Sequence, residues 1–196
     1  MKSGERRNDI LQALAAMLEQ PRVEKTTTAS LAQRLGVSEA ALYRHFASKA
    51  QMFEGLIGFI EETLFSRINR ILSERPHGVE QVESTLALLL AFAEKNPGMT
   101  RVLLGEALMY ENERLQARVN QILDRVEATL RQSLRVAASG GELAANQNTS
   151  ALANALLCYV LGRWQQFAKS GFQRQPLSGW EQQWAFLRPQ GPPGPP

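Results

Sequence analysis

Apolar residues recur along this chain at intervals of three and four, the spacing that lines one face of an α-helix. From Arg6 to Gln20 the repeat is Ile10, Leu11, Leu14 and Leu18. A longer stripe of Phe53, Ile57, Ile60, Leu64, Ile68 and Ile71 predicts a helix that Ser48 opens with a capping box to Gln51 and that runs to about Glu74. Pro76 to Gly78 breaks it. Val79 to Lys95, built on LALLLAFA, is the next helix, and Asn96-Pro97 marks a restart that reaches about Met109. Leu115, Val119, Ile122, Val126 and Leu130 predict another over Asn112 to Ala137. SGGELAANQN, Ser139 to Asn148, is the one obvious long loop. Asn148 or Ser150 then opens a helix to about Ser170, and Ser178-x-x-Glu181 predicts the cap of a short last helix holding Trp180, Trp184, Phe186 and Leu187. Strand-type alternation is found nowhere, so the expected fold class is all-α. The ending RPQGPPGPP has nothing to bury and is expected to be disordered.

Thr26 to Lys49, TTTASLAQRLGVSEAALYRHFASK, has a different rhythm: two short helices with a tight turn between them. Ala32 is small enough for two helices to cross closely, and Gly36 can take the left-handed conformation that ends the first. Leu42 fills the shared core with Leu31 and Leu35, and Ser38 caps the second helix through its hydroxyl. These choices agree on a helix-turn-helix, a unit that lays its second helix in the DNA major groove. Leu42 and Phe46 face inward. Glu39 at the helix start, then Ala40, Tyr43 and Arg44, face outward. Ala40 permits close approach to a base edge or a thymine methyl, Arg44 can donate to guanine or phosphate, and Tyr43 and His45 to phosphate. Thr27 and Thr28 offer hydroxyls and helix N-terminal amides to a phosphate, and Lys49 can hold another. For Tyr43 and His45 a packed aromatic cluster with Phe46 is the competing reading.

Charge supports the same assignment. Residues 1 to 50 carry eight Lys/Arg against five Asp/Glu, an excess equal to the formal net charge of +3 of the whole chain. A basic excess confined to the head suits a polyanion there, because neutralised phosphates release counterions. The single cysteine, Cys158, forms neither an internal disulfide nor a zinc site, which points to a reducing cytoplasm. Set among Leu156, Leu157, Tyr159 and Val160, it is expected to be a small buried apolar residue. With two histidines, one cysteine and no glycine-rich phosphate loop, no nucleophile–base set or metal cluster can be assembled, so neither enzyme activity nor a cofactor is expected. His77, beside Pro76, is expected in solvent.

The head, the long fourth helix and the helical body together resemble the TetR family, with ALYRHFASK similar to that family's tyrosine-any-histidine-phenylalanine ending followed by a loop and a lysine. The resemblance implies a three-helix helix-turn-helix head over residues 1–50 and a helical body over 51–187. The tail is 188–196. It further implies a homodimer on palindromic double-stranded DNA, joined by a four-helix bundle from the last two long helices of each protomer. Leu152, Leu156, Val160, Trp164 and Phe167, along one side of the first of these, are the expected dimer surface; a protomer core can use the same stripe. The runs SRINRIL, EKNPGMTRVLLGEALMYENERLQARVNQI and VEATLRQSLR are similar to the nucleoid occlusion branch of the family, whose members capture the C-terminal tail of the division protein FtsZ when on DNA.

That resemblance carries Phe59, Arg67, Leu88, Ala91, Lys95 and Asn96 onto the tail-binding positions. Ala91 stands where the branch typically shows glycine, and Lys95 where it shows arginine, which keeps the charge without the bidentate fork. At helical spacing Phe59 lies off the main apolar stripe, beside Met52, Thr63 and Arg70. It reads either as an exposed aromatic suited to a short apolar-acidic tail, or as a second packing face against the first helix or the head. A TetR-type repressor released from its operator by a small apolar ligand is the alternative function, since it would carry the same head.

Overall fold

The computed structural model describes residues 3–20, 26–109, 111–144, 146–189 and 191. Its elements are α1 (Ser3–Met17), α2 (Thr28–Leu35), α3 (Glu39–Tyr43), α4 (Lys49–Glu74), α5 (Gly78–Lys95), α6 (Pro97–Leu103), a 3₁₀ turn (Glu106–Leu108), α7 (Glu113–Ser139), α8 (Thr149–Lys169) and α9 (Trp180–Leu187). No strand occurs among the described residues, and no helix of theirs is long and apolar enough to cross a membrane. The chain divides into two compact units: one comprises the residues up to Glu62 with Asn96–Asn120, the other Thr63–Lys95 with the residues from Gln121 onward. The first therefore gathers more than the expected head of residues 1–50, because it also takes in α6 and the start of α7. Most of the expected disordered tail, 190 and 192–196, lies outside the described residues.

In the first unit the local signals work as expected. The Thr27 hydroxyl accepts from the Ser30 amide at 3.1 Å, and the Ser30 hydroxyl accepts from the Thr27 amide at 3.1 Å. Gly36 ends α2 at φ 64°, and the Ser38 hydroxyl accepts from the Ala41 amide at 3.3 Å to start α3. Leu31, Ala32, Leu42 and Phe46 are buried beneath the two helices. Ser48 and Gln51 cap α4, the Ser48 hydroxyl accepting from the Gln51 backbone amide and the Gln51 side-chain Oε1 from the Ala47 amide. α6 stops six residues before the expected Met109. Gly105 takes φ 78°, and its amide turns back onto the Val102 carbonyl at 3.0 Å. The buried Arg101 guanidinium donates through Nη1 to the carbonyls of Leu18, at 2.9 Å, and Gln20, just past the end of α1, while its Nε lies 3.7 Å from Glu106 Oε2.

The second unit is built on α5, α7 and α8. Val82, Leu86, Leu89 and Leu90 of α5, Ile122, Val126 and Leu130 of α7, and Leu156, Val160 and Trp164 of α8 are all buried. The Trp164 indole donates to the Leu89 carbonyl at 3.1 Å, so this large ring packs without an unsatisfied N–H. Gly78 opens α5 against α7: a Cβ there would lie 2.2 Å from the Ala137 amide nitrogen and 2.3 Å from the Ser133 carbonyl oxygen. The Glu142 carboxylate, from the loop after α7, accepts from the Gly78 and Val79 amides at 2.9 and 3.2 Å and so caps α5. The expected Ser178 capping box is not made. Gly179 at φ 73° is the N-cap of α9 with no side-chain bond, and the Ser178 carbonyl instead accepts from Arg163 at 2.9 Å and from the Gln183 side chain at 3.2 Å.

Candidate functional site

Helix α3 presents a continuous exposed face. Ser38, Glu39, Ala40, Tyr43 and Arg44 lie in solvent, with Tyr43 45% exposed. With nearly half of its surface in solvent, Tyr43 is not buried with Phe46 as a packed core aromatic. Its position is set by polar contacts: the Thr28 hydroxyl donates to Glu39 Oε2 at 2.6 Å, and the Tyr43 hydroxyl lies 3.5 Å from Thr28 Oγ1. This exposed chain fixes the start of α2 against both ends of α3. His45 is half-buried. Arg7, a residue the sequence reading left unassigned, stacks its guanidinium 4.3 Å above the Phe46 ring and donates to the His45 carbonyl at 3.4 Å, which holds the end of α3 to α1.

Three of the expected phosphate ligands are already engaged, Thr28 among them through its bond to Glu39. The Thr27 hydroxyl is committed to its capping box, so its contribution to an anion is reduced. Lys49 is ion-paired with Glu111, and its ammonium lies 5.7 Å from the Phe53 ring centroid. Glu111 stands 62 positions away in the chain, so no local pattern announces the pair.

The residues assigned by resemblance to a peptide tail fall in both units. In the first, Phe59 is half-buried and lines a cavity of about 10 Å³ with Asn8, Leu11, Gln12 and Met99. Its half-buried ring shares features of both readings, one side toward this cavity beside α1 and part of its surface in solvent. α4 buries a second side, Met52, Leu56 and Phe65, as well as its main stripe. Asn96 is half-buried, and its carbonyl accepts from both the amide and the hydroxyl of Thr100 at 3.0 Å. In the second unit, Leu88, Ala91 and Lys95 share one side of α5 at helical spacing; the first two are half-buried and Lys95 is exposed, as is Arg67.

The expected dimer surface is corrected by burial. Leu156, Val160, Trp164 and Phe167 are each at most 1% exposed, because they form the second unit's own core, and Leu152 is half-buried. A side chain with no accessible surface cannot meet a partner. The open side of α8 is instead Ala151, Ala155, Cys158 and Gly162, at the spacing i, i+4, i+7, i+11. Cys158 is thus exposed rather than buried. On α9, Trp184 is buried whereas Phe186 is 91% exposed. The Tyr159 hydroxyl donates to the Gln183 side chain, and burial holds the phenol above its ordinary range, with Arg163 acting in the opposite direction.

Comparison with known proteins adds to this geometry. Residues 10–56 match the tetR family of bacterial regulatory proteins. Residues 76–191 match the SlmA-like form of the tetracyclin repressor-like C-terminal domain. The nucleoid occlusion factor SlmA of Vibrio vulnificus is 53% identical over 190 residues, covering 96% of this chain and 97% of its own. The SlmA of Alteromonas mediterranea is 51% identical over 190 residues, with 96% of each chain covered. Among solved structures, the TetR-family regulator PfmR from Thermus thermophilus superposes with a TM-score of 0.76 at 23% identity, over 92% of this chain and 97% of its own. A TetR regulator from Chloroflexus aurantiacus does so with 0.79 at 21%, over 97% and 98%. At such identities these two structures speak for the fold alone.

Proposed function

The chain belongs to the SlmA family of nucleoid occlusion factors, built on the TetR-type DNA-binding head, and from that premise we propose that it is a sequence-specific dimer that captures the C-terminal tail of FtsZ while bound to palindromic chromosomal sites. The observation that carries the reading is identity near one half over almost the full length of SlmA relatives. The exposed face of α3 supports its DNA half. In this reading Ala40, Tyr43 and Arg44 enter the major groove, and Thr28, His45 and Lys49 face phosphates. Glu39 and Ser38 border the groove, Glu39 as the acceptor that holds Thr28 in place. Tail capture antagonises Z-ring assembly over the nucleoid, where the DNA-bound protein resides.

Phe59, Arg67, Leu88, Ala91, Lys95 and Asn96 are the proposed tail residues. Arg67 and Lys95 supply cations for an acidic segment, and Leu88 and Ala91 an apolar strip. The dimer forms through the open side of α8, Ala151, Ala155, Cys158 and Gly162, with Phe186 of α9; small side chains let two such helices approach closely. Gly162→Arg is expected to sediment as a monomer at micromolar concentration, and a variant that stays dimeric would exclude this face.

One anisotropy series tests both activities. With a duplex carrying the palindrome that the protein selects from random sequence, Arg44→Ala is expected to weaken binding by about tenfold to a hundredfold. An unchanged affinity would remove Arg44 from the recognition surface. With a labelled FtsZ tail peptide and saturating DNA, Phe59→Ala and Lys95→Glu should each weaken capture by about tenfold or more while the palindrome is still bound. Because the half-buried Phe59 also lines the cavity with Leu11 and Met99, Lys95→Glu on the exposed side of α5 is the cleaner variant. Tail binding untouched by both would refute the assignment.

A further inference from the structure

Glu39 is the first residue of α3 and lies in solvent beside Ala40. In a helix-turn-helix it is the N-terminal part of the second helix that meets base edges. An acid at this place stands apart on a surface that the DNA-binding reading gives to a polyanion. Its carboxylate is tethered on one side. Oε2 accepts from the Thr28 hydroxyl at 2.6 Å, a short charge-assisted bond, and the Tyr43 hydroxyl lies 3.5 Å from the same Thr28 oxygen. The other oxygen, Oε1, has no partner among the described residues. One oxygen is therefore held by the protein, and the other is left to accept from a donor outside it.

We propose that Glu39 is a specificity-determining residue that reads a cytosine in each half-site, Oε1 accepting from the N4 amino group of the base while Thr28 positions the carboxylate. The proposal rests on the DNA-binding reading above and names a base that this reading leaves open. The donors and acceptors of the major groove decide which base it is. A carboxylate only accepts. Guanine presents two acceptors, N7 and O6, and thymine presents O4 with a methyl group, so either would set a lone pair against Oε1. Adenine has an amino group, but its N7 acceptor stands beside that group. Cytosine presents the amino donor without an acceptor of its own in the groove. The tether to Thr28 has already restricted the side chain, so less rotamer freedom is lost when the base is met. Repulsion between Glu39 and the phosphates is the same for all four bases in one register and cancels from their comparison.

Glu39→Gln separates base reading from mere support of α2. The glutamine carbonyl can still accept from Thr28, so the two helices remain joined, but an amide NH2 donor takes the place of Oε1. In the parent, replacing the cytosine by guanine in both half-sites should weaken binding by about tenfold or more. In Glu39→Gln, guanine, whose N7 and O6 accept, should bind at least as well as cytosine. Glu39→Ala should bind the four bases at this position within about threefold of one another. Thr28→Val leaves the carboxylate and its charge in place but removes the tether, and the preference for cytosine should shrink without changing its direction.

The experiment measures, by anisotropy, the affinity of the dimeric parent and these variants for a panel of duplexes. In the panel each base pair of the selected half-site is replaced, symmetrically, by the other three, and thermal melting is recorded alongside. The expected result is a single half-site position, cytosine in the parent's site, at which Glu39→Gln and Glu39→Ala change the order of the bases while every other position keeps its order. Base preferences unchanged at every position, or an equal loss on all duplexes, would reduce Glu39 to a support for α2 and overturn the proposal. A changed position that holds another base in the parent's site would overturn the assignment of cytosine. A parent protein that selects no palindrome at all would instead defeat the DNA-binding reading, so the two failures are distinct.

Discussion

Replacing Arg101 by Met is expected to lower stability by about 3 kcal/mol, and with it the melting temperature by about 6–12 °C at fixed protein concentration. Arg101 is 5% exposed. Its Nη1 answers the carbonyls of Leu18 and Gln20, and its charge lies beside Glu106. A cation at this place also complements the negative end of α1. Methionine fills much of the volume of the stem but leaves two carbonyls without that donor and a carboxylate without that counter-charge. Removing one member of a buried polar set costs more than the set contributes as a whole, because the remaining members cannot return to water. Arg101→Lys keeps the charge but not the planar fork, so an intermediate loss is expected. A melting temperature within about 2 °C of the parent for Arg101→Met would mean that α6 and α1 hold together by apolar packing alone.

The second large effect is expected at Gly78. Alanine is ordinarily the better helix former by about 1 kcal/mol. At Gly78 the sign should reverse, with a loss of about 3 kcal/mol, since overpacking against immobile atoms costs this much or more. The atoms that a Cβ would meet at 2.2 and 2.3 Å are the amide nitrogen of Ala137 and the carbonyl oxygen of Ser133. Neither is a side chain that can swing away, so α5 or α7 must move bodily. Gly58 of α4 serves as the internal comparison, because a Cβ there meets nothing within 4 Å. Gly58→Ala should stabilise by about 0.5–1 kcal/mol. Chemical denaturation of both variants decides the matter: equal responses would mean that the crossing at Gly78 is looser than the structure has it.

What could be read from the sequence is what is decided within one turn of chain. Ser38 and Asn148 cap their helices as their side chains suggest, and the Asn148 side chain accepts from the amides of Ser150 and Ala151 at 3.1 and 3.0 Å, whereas the cap made by Thr27 takes a hydroxyl expected to face phosphate. The exposed face of α3 follows from the burial of Leu42 and Phe46, which its spacing already indicates. The errors concern matters that spacing does not encode. A stripe such as Leu156, Val160, Trp164 and Phe167 says that a face is buried but not by what, and here the burying surface is the protomer itself. The complementary stripe of Ala151, Ala155, Cys158 and Gly162 was equally periodic, but small residues contribute little to an apolar count. Gly105 is another case. A glycine inside an apolar run is compatible with a continuing helix, and only its φ of 78° shows that α6 has ended. The Lys49–Glu111 pair joins positions too distant for any local pattern to connect.

The cap of α5 bears on the order in which this chain acquires its structure. Many helices carry their own N-terminal acceptor, so their first turn can close as soon as the local chain does. The Gly78 and Val79 amides depend on Glu142, 64 and 63 positions further along. Until α7 has emerged and returned, those amides have only water, and joining them requires closure of a loop of that length, with its entropic cost. During synthesis from the N-terminus, the start of α5 must therefore wait for residues that the ribosome has not yet made, whereas Thr27 and Ser38 can shape the DNA-reading turn from the moment it leaves the tunnel.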